Sequence, residues 1–303
     1  MSTFSRFMRH IFIVLVLTTG VENLLAQHPG IDNALLWKIS GNGLQKPSYL
    51  FGTYHLLNSD YLETIPKVKS AFEKSDGVVV ETELDSSLMM KMMFMMVMPD
   101  KKIVDLMSEE DYALVSKEVQ ETMGAPINMI AQFKPTFITF MLTVAYNQSE
   151  NGEVLNKYGG HPLDSHFASV ARKKNKPVGT FETMEEQITM VFDHDPVEKQ
   201  AEDLVTFVKS KKENLKVLPK LLKLYMDENL NDLYALSKKY ERQFGETTYL
   251  TDDRNVRWME KLPGFLNLGN QFIAVGAFHL TGNKGLISLL RDKGYKVEAL
   301  ASK

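Results

Sequence analysis

Two stretches near opposite ends of the chain finish in the same arrangement, Gly-x-x-His. The first is Ser48–His55 (Ser-Tyr-Leu-Phe-Gly-Thr-Tyr-His) and the second is Gln271–His279 (Gln-Phe-Ile-Ala-Val-Gly-Ala-Phe-His). Each begins as an apolar run, which reads as a buried parallel strand, and breaks at a glycine that lets the backbone turn sharply or approach a ligand closely. The histidine then falls at the carboxyl end of its strand, where open α/β sheets gather ligands. A single histidine in that position is more often structural. The repeat of the pattern makes His55 and His279 candidates for one shared site. His10, His28, His161, His166 and His194 lack this context and are expected on the surface or in loops.

A third stretch, Gly77–Leu84 (Gly-Val-Val-Val-Glu-Thr-Glu-Leu), places carboxylates in an apolar strand. Alternation puts Glu81 and Glu83 on the face of Val79. A glutamate buried there needs a cationic partner, a metal or a catalytic purpose. If this strand lies beside Ser48–Phe51, Glu81 comes close to His55. Two imidazoles and a carboxylate form a three-ligand set for a divalent ion with a position left for water. Glu83 is then a candidate to take that water's proton. The alternative is that Glu81 pairs with Arg254 and the cluster is structural. Arg254 and Asn255 fall in the first turn of a helix for which Asp252 is a plausible N-cap, a place suited to orienting carboxylates or a substrate carbonyl, though exposed polar residues of a helix are the default reading.

The elements that must position these residues follow from local pattern. Leu35–Ile39, the Gly41-Asn42-Gly43 turn and Ser48–Phe51 predict a hairpin. Pro66 starts a helix running to Lys74, with Val68, Ala71 and Phe72 inward, and strand Gly77–Leu84 follows. Residues 86–160 are helical in character and include a dense methionine run between Ser86 and Met98, read as a buried or half-buried core helix or, alternatively, a soft lid or a peptide-binding wall beside the site. Asp164 is a candidate cap for a helix with Phe167, Val170 and Ala171 inward, and Lys176–Phe181 is a short strand. Residues 196–262 predict several amphipathic helices. The end of the chain, Phe272–His279, Lys284–Lys293 and Tyr295–Leu300, repeats the opening strand–helix–strand plan. The expected fold is therefore α/β, with a central, mostly parallel sheet built from two strand–helix–strand halves and a largely helical insertion between them.

Composition limits the chemistry. Arg6, Arg9 and His10 precede the apolar run Ile11–Leu17, and a small-residue region ends at Leu25-Ala26-Gln27, the order of a secretory signal peptide over residues 1–27. The apolar core is short of the roughly 20 residues that span a bilayer, so no stable membrane span is expected after cleavage. About 275 residues remain (28–303), enough for one large α/β domain. With no cysteine in 303 residues, disulfides and thiolate chemistry are excluded and any metal must use histidine and carboxylate ligands. A net charge of −3 gives no electrostatic reason to expect nucleic acid.

Taken in order, Leu50–His55, Val78–Glu81, Phe133-Lys134-Pro135, Leu163–Phe167, Lys176-Pro177-Val178, Glu182–Gln187, Arg254-Asn255 and Val275–Leu280 resemble the TraB/GumN family, which includes the animal Tiki proteins. The family looks related to erythromycin-esterase-like and ChaN-like haem-binding proteins. Tiki members are divalent-metal-dependent proteases that clip a signalling protein near its amino terminus; other TraB relatives reduce peptide-pheromone signalling. The resemblance implies metal ligands at His55, Glu81 and His279, supporting roles for Arg254, Asn255 and Glu182, and a divalent ion such as Mn, Co or Zn. Phe278 stands where relatives often carry glycine, which puts access to the second histidine in question. The leading expectation is an exported, periplasmic or secreted metal-dependent hydrolase acting on a peptide or protein. A peptide- or haem-sequestering protein without catalysis is the alternative, and hydrolysis of a non-peptide ester ranks last.

Overall fold

The computed structural model describes residues 32–83, 89–244 and 248–303. The leader read at residues 1–27, His28, Leu84 and residues 86–88 of the methionine run lie outside them.

Strands β1 (Leu36–Ser40) and β2 (Ser48–Thr53) form the expected antiparallel hairpin, with Leu36 opposite Phe51. Its turn uses the left-handed backbone region at Gly41, Asn42 and Gly43 (φ 77, 46 and 82°), which glycine and asparagine adopt most readily. Helix α1 (Pro66–Lys74) opens on Pro66 and buries Val68, Ala71 and Phe72. It leads to β3 (Gly77–Val80). A helical stretch then intervenes: α2 (Met89–Met95), α3 (Glu109–Met123), α4 (Pro135–Asn156) and α5 (Leu163–Lys173). Strand β4 (Val178–Thr180) precedes α6 (Met184–Phe192), α7 (Val197–Lys209), α8 (Lys211–Met226), α9 (Leu230–Phe244) and α10 (Asp252–Leu266). The chain closes with β5 (Gln271–Gly276), α11 (Leu286–Asp292) and β6 (Lys296–Leu300).

The six strands lie in the order β4-β3-β5-β2-β1-β6. Strands β4, β3, β5 and β2 are mutually parallel, while β1 is antiparallel to both β2 and β6. Only β1 therefore opposes the common direction, as the mostly parallel expectation required. Two details differ from it. Strand β3 is not beside β2, because β5 lies between them and pairs with both. Every residue of β5 is buried, so its backbone groups need a partner strand on each edge. Strand β3 also ends at Val80 rather than Leu84. The chain leaves the ladder where the backbone N–H groups of Phe181 and Glu182 turn to the carbonyl of Glu81 (both 3.1 Å). Glu81 and Glu83 consequently do not share a strand face.

The core on one face of the sheet is aromatic. Phe272 of β5 is fully buried, and its ring centroid lies 4.9 Å from that of Phe167 on α5, 5.5 Å from Phe72 on α1 and 6.1 Å from Phe51 on β2. The opposite face carries α10, whose Phe265 packs on Gly179 of β4 so closely that a side chain there would meet the ring at 2.5 Å. Away from the sheet, the long helix α4 packs on α7 and α8. The methionine helix is half-buried: Met92 and Met96 face the core, while Met90 and Phe94 are exposed. No described helix is long and apolar enough to cross a membrane.

Phe272→Ala should cost about 3–5 kcal/mol in urea unfolding, because it opens a void among three rings. Phe94→Ser, at an exposed position, should stay within about 0.5 kcal/mol of the parent.

Candidate functional site

Four side chains reach one place from the carboxyl ends of the four parallel strands. His55 lies two residues past β2, Glu81 directly follows β3, Glu182 lies two past β4, and His279 sits in the 3-10 turn Ala277–Leu280 that follows β5. Parallel strands present their carboxyl ends on one edge of a sheet, so this convergence follows from the topology. Arg254, from the first turn of α10, enters the centre and is completely buried.

All five guanidinium hydrogens of Arg254 have acceptors. Nε donates to Glu182 Oε2 (3.3 Å), and Nη2 donates to Glu182 Oε1 and Glu81 Oε2 (2.5 Å each). Nη1 donates to the Leu250 carbonyl (3.0 Å) and meets His279 Nε2 at 3.1 Å. The guanidinium carbon also sits 4.6 Å from the Trp258 ring, which stacks on His279 at 4.3 Å. The pairing of Glu81 with Arg254, raised as the structural alternative, is thus present.

These contacts fix the imidazole tautomers. The side-chain amide nitrogen of Asn255 donates to the carbonyls of His279 (3.1 Å) and Lys284 (2.9 Å), so its oxygen is an acceptor. His279 Nδ1, 2.7 Å from that oxygen, must carry the ring proton, and Nε2 presents a lone pair. Burial drives the His279 pKa down, with Arg254 and His55 acting in the same direction and Glu81 opposing them; the result is about 3. His279 is therefore neutral at physiological pH. His55 is held differently: Nδ1 lies 2.6 Å from Asp164 Oδ2, and the other Asp164 oxygen accepts from the Thr53 hydroxyl. Burial lowers the His55 pKa, but Asp164, through charge and hydrogen bond, with help from Glu81, outweighs burial and the opposing Arg254 and raises it. Burial pushes Glu81 up, yet Arg254, both histidines and the Gly276 N–H (2.7 Å to Oε1) hold it at about 2. Glu182 is shifted up by its burial against the pull of Arg254.

The glycines of the two motifs serve space rather than backbone strain, since neither has a positive φ. A Cβ at Gly52 would meet Ala277 Cα at 3.0 Å, so its absence lets β2 close on the turn that carries His279. A Cβ at Gly276 would stand 3.1 Å from His55 Nε2 and 3.4 Å from Glu81 Oε1. Gly276 therefore marks the gap that these two donor atoms face.

The other sequence-derived candidates fall as follows. Asn255 is buried and orients His279. Glu83 stays outside the cluster, held by Arg172 Nε and Nη2 at 3.1 and 2.6 Å, because the chain has already left the strand. Asp164 is not the cap of α5, which is Pro162; it lies in the first turn, and its carboxylate serves His55 instead. Thr251, not Asp252, occupies the N-cap of α10. Phe278 is half-buried and packs against the core. His161 is exposed, His166 is half-buried on α5, and His194 stacks on Tyr249 at 3.6 Å. Asp164, Gln187 and Trp258 of the cluster were given no site role from sequence: Asp164 resembled a helix cap, Gln187, which donates to Glu81 Oε2 at 3.1 Å, was legible only as the end of the family-like run Glu182–Gln187, and Trp258, which donates to Glu182 Oε2 at 3.2 Å, read as helix.

Imidazole and carboxylate are side-chain types that divalent cations take as ligands. Three carboxyl groups (Glu81, Glu182 and Asp164) face one guanidinium and two imidazoles, of which His55 holds its proton to higher pH than usual. The Nδ1 of each candidate histidine is anchored by an outer partner, as ligating histidines require. Among the described residues no group of three His, Asp or Glu side chains stands arranged to hold a metal ion. His279 Nε2 and Glu81 Oε1 are 3.7 Å apart, and Arg254 engages both residues. Behind Glu182 and Trp258, a cleft of about 780 Å³ opens between α6 and α10, lined also by Thr183, Met190, Arg257 and Lys261.

In metal-free protein, imidazole NMR should show His55 gaining its proton above pH 6.5 and His279 remaining neutral down to pH 4. Asp164→Asn removes the charge that raises His55, so its midpoint should move down. An unchanged midpoint would refute the assigned role of Asp164.

The model of the TraB/PrgY/gumN family matches residues 35–299. The chain belongs to that family. No curated protein and no solved structure matches it.

Proposed function

With membership of that family as the premise, we propose that the protein is an exported metal-dependent hydrolase acting on a peptide or protein. His55, Glu81 and His279 would hold the divalent ion. The observation that carries this reading is the meeting of both Gly-x-x-His imidazoles beside one ionised glutamate. A bound divalent ion would supply a water of lowered pKa and polarise the substrate carbonyl. The chain's own atoms do the rest. Asp164 and Asn255 hold the two Nδ1 protons, directing each Nε2 lone pair inward. Gly276 keeps the space before His55 Nε2 and Glu81 Oε1 clear. Arg254 keeps Glu81 ionised in a buried setting and opposes the upward shift that burial imposes on Glu182.

One lone pair cannot serve two partners, so ligation through His279 Nε2 requires Arg254 Nη1 to release it. Nη2 can keep its two carboxylates meanwhile. Glu83 has no place in this mechanism. The cleft between α6 and α10, which Glu182 and Trp258 help to line, offers space for a substrate next to the cluster. Exposed Met90 and Phe94 favour a second reading, an adaptable apolar surface that binds peptide or haem without cleaving it.

Protein purified without a histidine tag should retain a divalent ion near one per chain, and chelation should abolish peptide cleavage. His55→Ala and His279→Ala should each remove both. Gly276→Ala, which fills the gap while leaving the backbone conformation accessible to alanine, should lose ion and cleavage with the fold intact by circular dichroism. Retention of both in all three variants would refute the hydrolase. Ligand binding that persists after chelation, with no product by mass spectrometry, would select the second reading.

A further inference from the structure

Gln187 is buried completely, in the second turn of α6, and the site described above leaves half of its side chain unused. Its amide nitrogen donates to Glu81 Oε2 at 3.1 Å. Its amide oxygen is buried and has no hydrogen-bond partner. The orientation is forced. Turning the amide over would set its oxygen against a carboxylate oxygen, two acceptors with no hydrogen between them. A buried carbonyl acceptor left unmatched is unfavourable, and a methionine of the same length would avoid it.

The amide also decides how Glu81 presents itself. Oε2 takes hydrogens from Arg254 Nη2 (2.5 Å) and Gln187 Nε2 (3.1 Å). Oε1 takes only the Gly276 N–H and lies 3.7 Å from His279 Nε2. The two carboxylate oxygens are thereby made unlike: one is fully engaged on the arginine side, and the other keeps a lone pair for the imidazole side. Resting on the metal-site reading above, we infer that Gln187 is a positioning residue that, with Arg254, fixes the Glu81 carboxylate so that Oε1 faces the imidazoles. A role in holding Glu81 explains why a polar side chain occupies a position with no exposure to solvent.

The test uses Co²⁺ as the probe, added to the metal-free full chain and to its Gln187→Met and Gln187→Glu variants. Wild type should bind Co²⁺ with a visible d–d spectrum that His55→Ala and His279→Ala abolish. Gln187→Met should leave the thermal midpoint of the metal-free protein equal or higher, since it removes an unmatched acceptor. The same substitution should weaken Co²⁺ binding by about 10- to 100-fold, the range for lost outer partners, and change the shape of the d–d band as Glu81, held on Oε2 by Arg254 alone, loses its fixed orientation. Gln187→Glu, which retains an acceptor oxygen but places a second carboxylate against Glu81, should also change the band. Histidine-dependent Co²⁺ binding whose affinity and spectrum are untouched by Gln187→Met would overturn this inference and leave the metal site standing. A fall in metal-free stability matching the fall in affinity would overturn it too, by showing a merely structural role. Failure of the wild type to bind Co²⁺ would remove the metal site itself, and this inference with it.

Discussion

The site is organised by one fully engaged guanidinium. Arginine cannot shed its charge in a protein interior, so Arg254 at zero exposure obliges the fold to deliver five acceptors to fixed directions. Those acceptors come from the chain after β3, the chain after β4, the turn after β5 and the residue four positions before Arg254 itself. Satisfying Arg254 therefore requires the strand order, the early end of β3 and the seating of α10 to be correct together. Buried ion pairs of this kind seldom stabilise a protein more than apolar residues of equal volume, whereas losing one partner alone costs about 3–5 kcal/mol. A constraint with so little stability to offer fits the proposed function, in which Arg254 holds Glu81 and Glu182 in place.

The same constraint gives the two histidines unlike characters. His279 is stacked on Trp258, touched by the guanidinium and kept neutral, with its proton pinned on Nδ1 by Asn255. His55 faces a carboxylate rather than an arginine and holds a proton to higher pH. Adding an ion would replace that proton and compete with Arg254 for a single lone pair. Charge balance thus links protonation, arginine contact and ion occupancy. Three carboxyl groups and one arginine favour whichever combination supplies further positive charge.

Much of this was legible from residues alone. Each Gly-x-x-His pattern could be placed because an apolar run marks its strand and the glycine marks the end. Glu81 was legible because ionised carboxylates are costly in a run such as Val78-Val79-Val80. The single opposed strand β1 followed from the short turn at Gly41–Gly43. The rest depended on long-range geometry. No local pattern says that β5 inserts between β2 and β3, because that choice belongs to the competition among buried edges. Glu83 was misplaced because alternation was extended three residues beyond the point at which Phe181 and Glu182 draw the chain out of the sheet. Asp164 looked like a cap because an aspartate opening a helix has the same local appearance whether it bonds its own backbone or a distant imidazole. Arg254 read equally well as an exposed polar residue, since only the assembled strand ends reveal its acceptors.

Beneath the whole account lies the claim that both imidazoles would share one ion. X-ray absorption at the metal edge of the Co²⁺-loaded protein addresses it without requiring a substrate. A shared ion should show a first shell of mixed nitrogen and oxygen with the outer multiple-scattering signature of two imidazole rings, falling to one ring in His279→Ala. An all-oxygen shell, or a two-ring signature unaltered in that variant, would contradict it.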